Sequence, residues 1–374
     1  MNSKKELSFE NLLQDIVNKN LCNRCGGCVS FCSANSIDAL KIGKEGFPEY
    51  KDKDKCLECG ICYLICPKTR NLEEELKSHY DWKYPLGHWI DIFSARSTDE
   101  EVLNVATDGG VVTSILIYLL ENKIIDGAIV SKRTGTHGRM PIIAKTRSDL
   151  IDAAGSSFAE THHLDELGNI YSSTFPIIKV IKESASDSMK KLAIVGTACQ
   201  IEAIRKMQLL NIVPSNLIIF TIGLFCMQCF TIEDLSKKNF AKTHKIDLDD
   251  IEKVNIKDNL ILKMKSNVSF HIPLEEIEEI ARPACLACND FSNEFADISV
   301  GGVGSQDGYT SVVIRTSLGK QVYAEALYQD YVKNSHGSHH HSREVNEKHL
   351  LDIIKDFAIR KKIRSEKKIN SVNN

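Results

Sequence analysis

Eight cysteines fall into two matched runs near the N-terminus. The first is Cys22-x2-Cys25-x2-Cys28-x3-Cys32, and the second is Cys56-x2-Cys59-x2-Cys62-x3-Cys66, followed by Pro67. Three thiolates two residues apart on a tight loop reach three corners of one [4Fe–4S] cube. The fourth of each run points across to the other cube. This spacing assigns one cluster to Cys22, Cys25, Cys28 and Cys66, and a second to Cys56, Cys59, Cys62 and Cys32. Gly26, Gly27 and Gly60 lie inside the loops, where backbone N–H groups approach sulfur without interference from a Cβ. Ser33 stands where the second run has Pro67. Zinc favours two CxxC pairs over a run of four, and disulfides need an oxidising compartment. Paired clusters carry electrons one at a time.

Five further cysteines could do chemistry: Cys199, Cys226, Cys229, Cys285 and Cys288. Cys199 sits in Gly196-Thr197-Ala198-Cys199-Gln200, between a predicted strand and a predicted helix. A helix N-terminus lowers a thiol pKa there. The pairs Cys226/Cys229 and Cys285/Cys288 admit a two-plus-two zinc site, although the stretch between them is long for a zinc ribbon. Each could equally be a buried, inert thiol.

The elements that must hold these residues follow from the apolar pattern. Phe9 to Lys19 reads as a short amphipathic helix, and the double-cluster module is expected over residues 1–72. Leu72 to Asp81 reads as a linker or an exposed helix, with the linker taken as 73–87. A larger domain is expected over 88–330. Its strands are Ile90 to Ala95, Ile124 to Ser131, Pro141 to Lys145, Leu192 to Val195, Leu217 to Ile222, Ile298 to Val300 and Val312 to Arg315. Helical patterns cover Val111 to Asn122 and Gln200 to Leu210, and Leu260 to Pro273 alternates like a hairpin. The fold class is therefore α+β: a ferredoxin-like module followed by a mixed or partly parallel sheet covered by helices.

Residues 331–374 form a helical, basic tail. Leu350, Leu351, Ile354 and Phe357 share one face, and Arg360, Lys361, Lys362, Arg364, Lys367 and Lys368 follow. Such a run reads as a solvated face, with docking to an acidic partner as the sharper alternative. His336, His339, His340 and His341 read as an exposed loop rather than a metal tract.

Apolar content of 43% and charged content of 26% are ordinary for a globular protein, and a net charge of −3 gives no general case for nucleic-acid binding. No secretory signal is expected at Met1 to Glu6. The apolar stretch Val111 to Leu120 is too short to span a bilayer. Abundant cysteine without an export signal points to a reducing cytoplasm, with at most peripheral membrane association through a partner.

Six stretches in order resemble the family of beta subunits of coenzyme F-420 hydrogenases and dehydrogenases, over roughly Trp89 to Arg315. They are Asp108-Gly109-Gly110-Val111-Val112-Thr113, Ala154-Gly155-Ser156-Ser157-Phe158, Gly196-Thr197-Ala198-Cys199-Gln200-Ile201, Leu224-Phe225-Cys226-Met227, Arg282-Pro283-Ala284-Cys285-Leu286-Ala287-Cys288 and Ala296-Asp297-Ile298-Ser299-Val300-Gly301-Gly302-Val303-Gly304. With the double-cluster module in front, the architecture looks like the input subunit of an F-420H2 dehydrogenase. The resemblance implies FAD, a third [4Fe–4S] cluster and a docking site for the deazaflavin. Carried over, the third cluster's ligands are Cys199, Cys226, Cys285 and Cys288, and Cys229 is spare. Ala198 replaces the family's usual Pro. Ser157-Phe158 stands where the family often has Lys-Tyr, removing a positive charge and a phenol. His162 and His163, nearby, read as surface histidines with a possible cationic role.

The flavin site is expected at glycine turns: Asp108, Gly109, Gly110 and Thr113 at one helix start, then Gly155, Ser156, Ser157 and Phe158, then Gly196 and Thr197. Lys132 and Arg133, after the strand Ile124 to Ser131, are candidates to hold the acidic tail of F-420, with plain surface solvation as the equal alternative. A hydride donor and a one-electron cluster need a flavin between them. The expected route runs from F-420H2 through FAD and the third cluster to the N-terminal pair and a redox partner, with the reverse direction equally allowed. The alternatives are a flavin/iron–sulfur reductase acting on another substrate, or a non-catalytic electron relay.

Overall fold

Ser8 caps a first helical turn, Phe9–Leu12, which continues as a single π-helical turn, Leu13–Val17. Its apolar face follows the predicted spacing: Phe9, Leu12 and Ile16 pack with Val29, Leu40 and Ile42 into a small core beside the cysteine loops. The computed structural model describes residues 7–34, 37–134, 138–156, 191–212, 215–229, 240–257, 259–335 and 340–373. Ser157, Phe158, His162, His163, His336 and His339 lie outside them.

Helix Gly27–Ala34 carries Cys28 and Cys32, and helix Ile61–Leu64 carries Cys62. Strands β1 (Leu40–Ile42) and β2 (Pro48–Tyr50) pair antiparallel between them. Gly27 has a packing task beyond the one its loop position suggests. A Cβ there would lie 3.2 Å from Ala203 Cβ, so glycine lets this helix lie close against helix Ala198–Leu209.

Chain order then gives β3 (Asp91–Ser97), β4 (Gly127–Thr134), β5 (Gly138–Ala144), β6 (Leu192–Gly196), β7 (Ile218–Leu224), β8 (Ile251–Ile256), β9 (Asn259–Met264), β10 (Ser269–Pro273), β11 (Ile298–Gly301), β12 (Thr310–Ile314) and β13 (Val332–Asn334). Eight of them form one mixed sheet in the order β13-β3-β12-β11-β7-β6-β4-β5. The central β11, β7, β6 and β4 run parallel, and the flanking pairs are antiparallel. Continuous apolar runs such as Leu192-Ala193-Ile194-Val195 suit strands covered on both faces.

Alternation sorts the two faces. Ala128, Val130, Ala193, Phe220 and Ile222 meet helices Val111–Glu121 and Ser317–Tyr328. Ile129, Leu192, Ile194 and Ile218 meet Ile201, Ile204 and Met207 of helix Ala198–Leu209. This second core also takes in Phe31 and Ile65 from the N-terminal module. Two polar ties reinforce that joint: Lys206 Nζ donates to the Cys66 carbonyl at 3.0 Å, and Lys68 Nζ to the Ala287 carbonyl at 2.6 Å.

Three expectations need correction. Of the two readings of Leu72 to Asp81 the helix holds, as Glu73–His79, but it is not free of the fold: its Leu76 is buried in the shared core. The hairpin β9–β10 is real but gains β8 as a third strand, and this small sheet has its own core. The large sheet does not end at residue 330, because β13 pairs with β3.

The basic tail is the largest correction. Helix His340–Asn373 lays Leu350, Ile354 and Phe357 against Phe291, Val303 and Val313. Lys361 and Lys362 follow on the buried side, while Arg360 and Lys367 are exposed. The run is therefore split between core and solvent, because a helix turns charges a few residues apart toward different sides. Among the described residues no helix is long and apolar enough to cross a membrane.

Candidate cofactor cavity and cysteine centres

The parallel strands end at a cavity of about 320 Å³. Open α/β sheets commonly bind ligands at the carboxyl ends of such strands. The lining comes from the ends of β6, β7 and β11, from the start of helix Val111–Glu121, from residues 153–156, and from Val254 to Ile256 of the small sheet. Of the residues expected to hold a cofactor, Asp108, Gly110, Thr113, Gly155, Ser156, Gly196 and Thr197 line it. Gly109 sits just behind. A Cβ on it would stand 2.5 Å from the Ala95 carbonyl oxygen, and its N–H donates to Thr310 Oγ1 at 2.9 Å. Lys132 is not among the lining residues and pairs with Asp152 at 2.9 Å. Arg133 lies in β4, opposite Arg139 of β5.

Arg139 is the cation that does line the cavity. It is buried, and its guanidinium donates to the Ser131 carbonyl at 2.6 Å and to the Gly155 carbonyl. Nothing local in its sequence announces this; only the β4–β5 hairpin turns it inward. Elsewhere in the lining Asn255 donates to Asp108 Oδ1 at 2.7 Å, with Lys257 Nζ at 3.9 Å from that oxygen. Burial pushes the Asp108 carboxyl up, and Lys257 and Asn255 oppose that push.

The cysteines gather in three neighbouring groups. Cys22, Cys25, Cys28 and Cys66 lie close enough to perturb one another, as do Cys32, Cys56, Cys59 and Cys62. Each group draws one member from the other run. Burial pushes Cys62 and Cys66 up to about 12, and neighbouring thiols add to that. A bound metal centre reverses this logic, because a coordinating thiol is deprotonated outright. Cys59 is exposed, so the second group reaches the surface.

The third group joins Cys199, Cys226, Cys229, Cys285 and Cys288. Cys199 follows the strand end of β6 under a Thr197/Gln200 capping box. Burial pushes its thiol well up, and Cys25 of the first group pushes it further, as do Cys288 and Cys226. Burial and the neighbouring thiols, rather than the helix start, are the causes that set this direction. Cys226 also lines the cavity. Among the described residues no three His, Cys, Asp or Glu are arranged to hold a single metal ion.

Residues 14–67 match the model of a 4Fe-4S dicluster domain. Residues 92–168 and 189–338 match the N-terminal and C-terminal models of the coenzyme F-420 hydrogenase/dehydrogenase beta subunit. The coenzyme F-420 hydrogenase subunit beta of Methanosarcina barkeri is 34% identical over 251 residues, covering 65% of this chain and 80% of that one. An F-420H2 dehydrogenase subunit of Methanosarcina mazei is 25% identical over 95% of this chain and 98% of its own length. The coenzyme F-420-dependent sulfite reductase of Methanocaldococcus jannaschii is 30% identical over 84% of this chain, which spans only 47% of that protein. A solved chain from the F-420-reducing [NiFe] hydrogenase complex of Methanosarcina barkeri superposes with a TM-score of 0.66 at 29% identity. That match covers 78% of this chain and 94% of the other. The chain belongs to the family of coenzyme F-420 hydrogenase/dehydrogenase beta subunits, with a 4Fe-4S dicluster domain at its N-terminal end.

Proposed function

We propose that the chain is an F-420-linked iron–sulfur flavoprotein of the F-420H2 dehydrogenase type. It oxidises reduced coenzyme F-420 by hydride transfer to FAD and passes single electrons outward to a redox partner, or runs in reverse. A flavin, when bound, takes two electrons as a hydride and releases them singly. The observation that carries this reading is a continuous row of redox-capable groups. Cys226 lines the cavity, Cys199 neighbours both Cys226 and Cys25, Cys28 neighbours Cys62, and Cys59 is exposed. In this reading Cys199, Cys226, Cys285 and Cys288 hold a third [4Fe–4S] cluster beside the two held by the N-terminal runs.

The chain's own groups suit an anionic flavin. The cavity volume lies in the range of small-molecule sites. Arg139 supplies a buried positive charge, and the start of helix Val111–Glu121 supplies N–H groups. Val254 to Ile256 of the small sheet complete the lining. Phosphate or ring anions gain most from a charged donor inside a desolvated site. Arg139→Leu is expected to weaken flavin retention roughly 10-fold to 100-fold, the equivalent of one charged hydrogen bond. Flavin-to-iron ratios after anaerobic gel filtration measure this; iron content should hold steady.

The reaction itself is tested by adding F-420H2 or NADH anaerobically to the flavin-loaded protein. Bleaching of the flavin by F-420H2 alone is expected. No bleaching by F-420H2 would sink the substrate assignment, and flavin-free protein carrying all its clusters would favour a plain relay.

A further inference from the structure

Lys361 is 1% exposed and lies in the C-terminal helix, beyond residue 338 where the family match ends. Its ammonium donates to two backbone carbonyls, those of Cys226 and of Asp290, the latter at 2.7 Å. These belong to the two loops that carry Cys226 and Cys288. Its neighbour Lys362 takes a carboxylate, Glu294, at 2.7 Å. Lys361 has the thiols of Cys288, Cys226 and Cys285 around it, together with the Asp290 carboxylate. An ammonium buried with only neutral partners is costly. The Asp290 carboxylate and, when a cluster is bound, anionic sulfur offset that cost.

The helix cannot easily swing this charge away. Phe357, one turn earlier on the same side, packs with Phe291. Arg364, one turn later, donates to Gln228 Oε1 at 2.7 Å and to the Met227 carbonyl at 2.9 Å. The lysine is thus held over the third cysteine group from both directions.

We propose that Lys361 is a fixed counter-charge that raises the reduction potential of the iron–sulfur cluster held by Cys199, Cys226, Cys285 and Cys288. This rests on the three-cluster reading above. A cube in its oxidised form with four thiolates carries two negative charges; one added electron makes three, with no bond made or broken and no proton taken up. A nearby positive charge favours the more negative state. Cluster potentials respond to local charge and hydrogen bonding in this way. The C-terminal helix then adjusts how readily the third cluster accepts an electron from the cavity side.

The test is an anaerobic redox titration of the holoprotein followed by EPR, on wild type, Lys361→Met and Lys361→Arg, with iron counted in each. Lys361→Met should keep its iron and move only the third cluster's midpoint to lower potential, by at least a tenfold change in the one-electron equilibrium, about 59 mV. Lys361→Arg should stay near wild type, and the N-terminal pair should not move. Full iron with an unshifted midpoint in Lys361→Met overturns the proposal while leaving the cluster reading intact. Wild-type protein with iron for two clusters only overturns the cluster reading itself, and the proposal with it. If Lys361→Met loses the third cluster, Lys361→Gln is titrated in its place and judged by the same shift. Loss of the cluster in both neutral variants but not in Lys361→Arg supports the charge role. Loss in all three assigns Lys361 to packing and overturns it.

Discussion

Cys226→Ser is expected to lose about one third of the cluster iron, while Cys229→Ser keeps it. The two residues sit three apart in one loop, and composition alone cannot rank them. Their surroundings can. Cys229 is 3% exposed and lies between the thiols of Cys226 and Cys285. Its hydrogen bonds to both push its own pKa well up. They pull Cys226 down and Cys285 to about 5. In the three-cluster reading this makes Cys229 a donor to two ligating sulfurs, those of Cys226 and Cys285, rather than a ligand itself. Cys226 also lines the cavity, where an electron would arrive. Cys199→Ser should likewise remove the third cluster and spare the EPR signals of the N-terminal pair. Equal iron loss in Cys226→Ser and Cys229→Ser would overturn the ligand choice.

The second large effect concerns stability. Arg315→Met should destabilise the fold by about 3–5 kcal/mol, the cost of breaking a buried charged network. Arg315 lies just past β12 and is buried. Its Nε donates to Ser299 Oγ at 2.6 Å, Nη1 to the carbonyls of Leu86 and His88, each at 2.8 Å, and Nη2 to the carbonyl and hydroxyl of Ser292 at 3.0 and 2.9 Å. One side chain thereby ties three segments together: the stretch before β3, the loop after Cys288, and β11. Burial lowers its pKa to about 10, which still leaves it charged at neutral pH. Methionine fills similar volume but donates to none of the five acceptors, and buried acceptors without donors are expensive. Denaturant unfolding of the anaerobic protein measures the loss; a change below about 1 kcal/mol would mean that other donors take over.

The parts of the molecule legible in the sequence are those specified by local repetition. The paired cysteine runs announce themselves by spacing, and residues 14–67 match a 4Fe-4S dicluster domain. Seven strands of the large sheet are signalled by apolar runs, with ends that drift by a few residues. β4 starts at Gly127 rather than Ile124 because Ile124 and Ile125 serve the turn after helix Val111–Glu121. Three-residue β13 was too short to signal itself. Arg139 and Lys361 were illegible for another reason. Both are cations in ordinary polar stretches, and only tertiary contacts turn them inward. Lys132, a more obvious candidate, finds Asp152 within its own neighbourhood. The helix Glu73–His79 misled through its three leading glutamates, which suggest a solvated segment, whereas the single Leu76 decides where it packs.

The core shared by Phe31 and Ile65 with Ile194, Ile201 and Met207 carries a kinetic consequence. Domains joined by a slack tether meet by diffusion, so electron hops between them are gated by random encounters. Here the joint is packed like a protein interior, which resists deformation. The gap between the Cys199 and Cys25 regions is then a constant of the fold. Tunnelling across a constant gap does not wait for collisions. On the exit side of the proposed path, the distance left to docking is that between the exposed Cys59 edge and a partner beside it. In the proposed path, transfer at that outer edge is accordingly a step that depends on docking, whereas transfer across the packed joint is not.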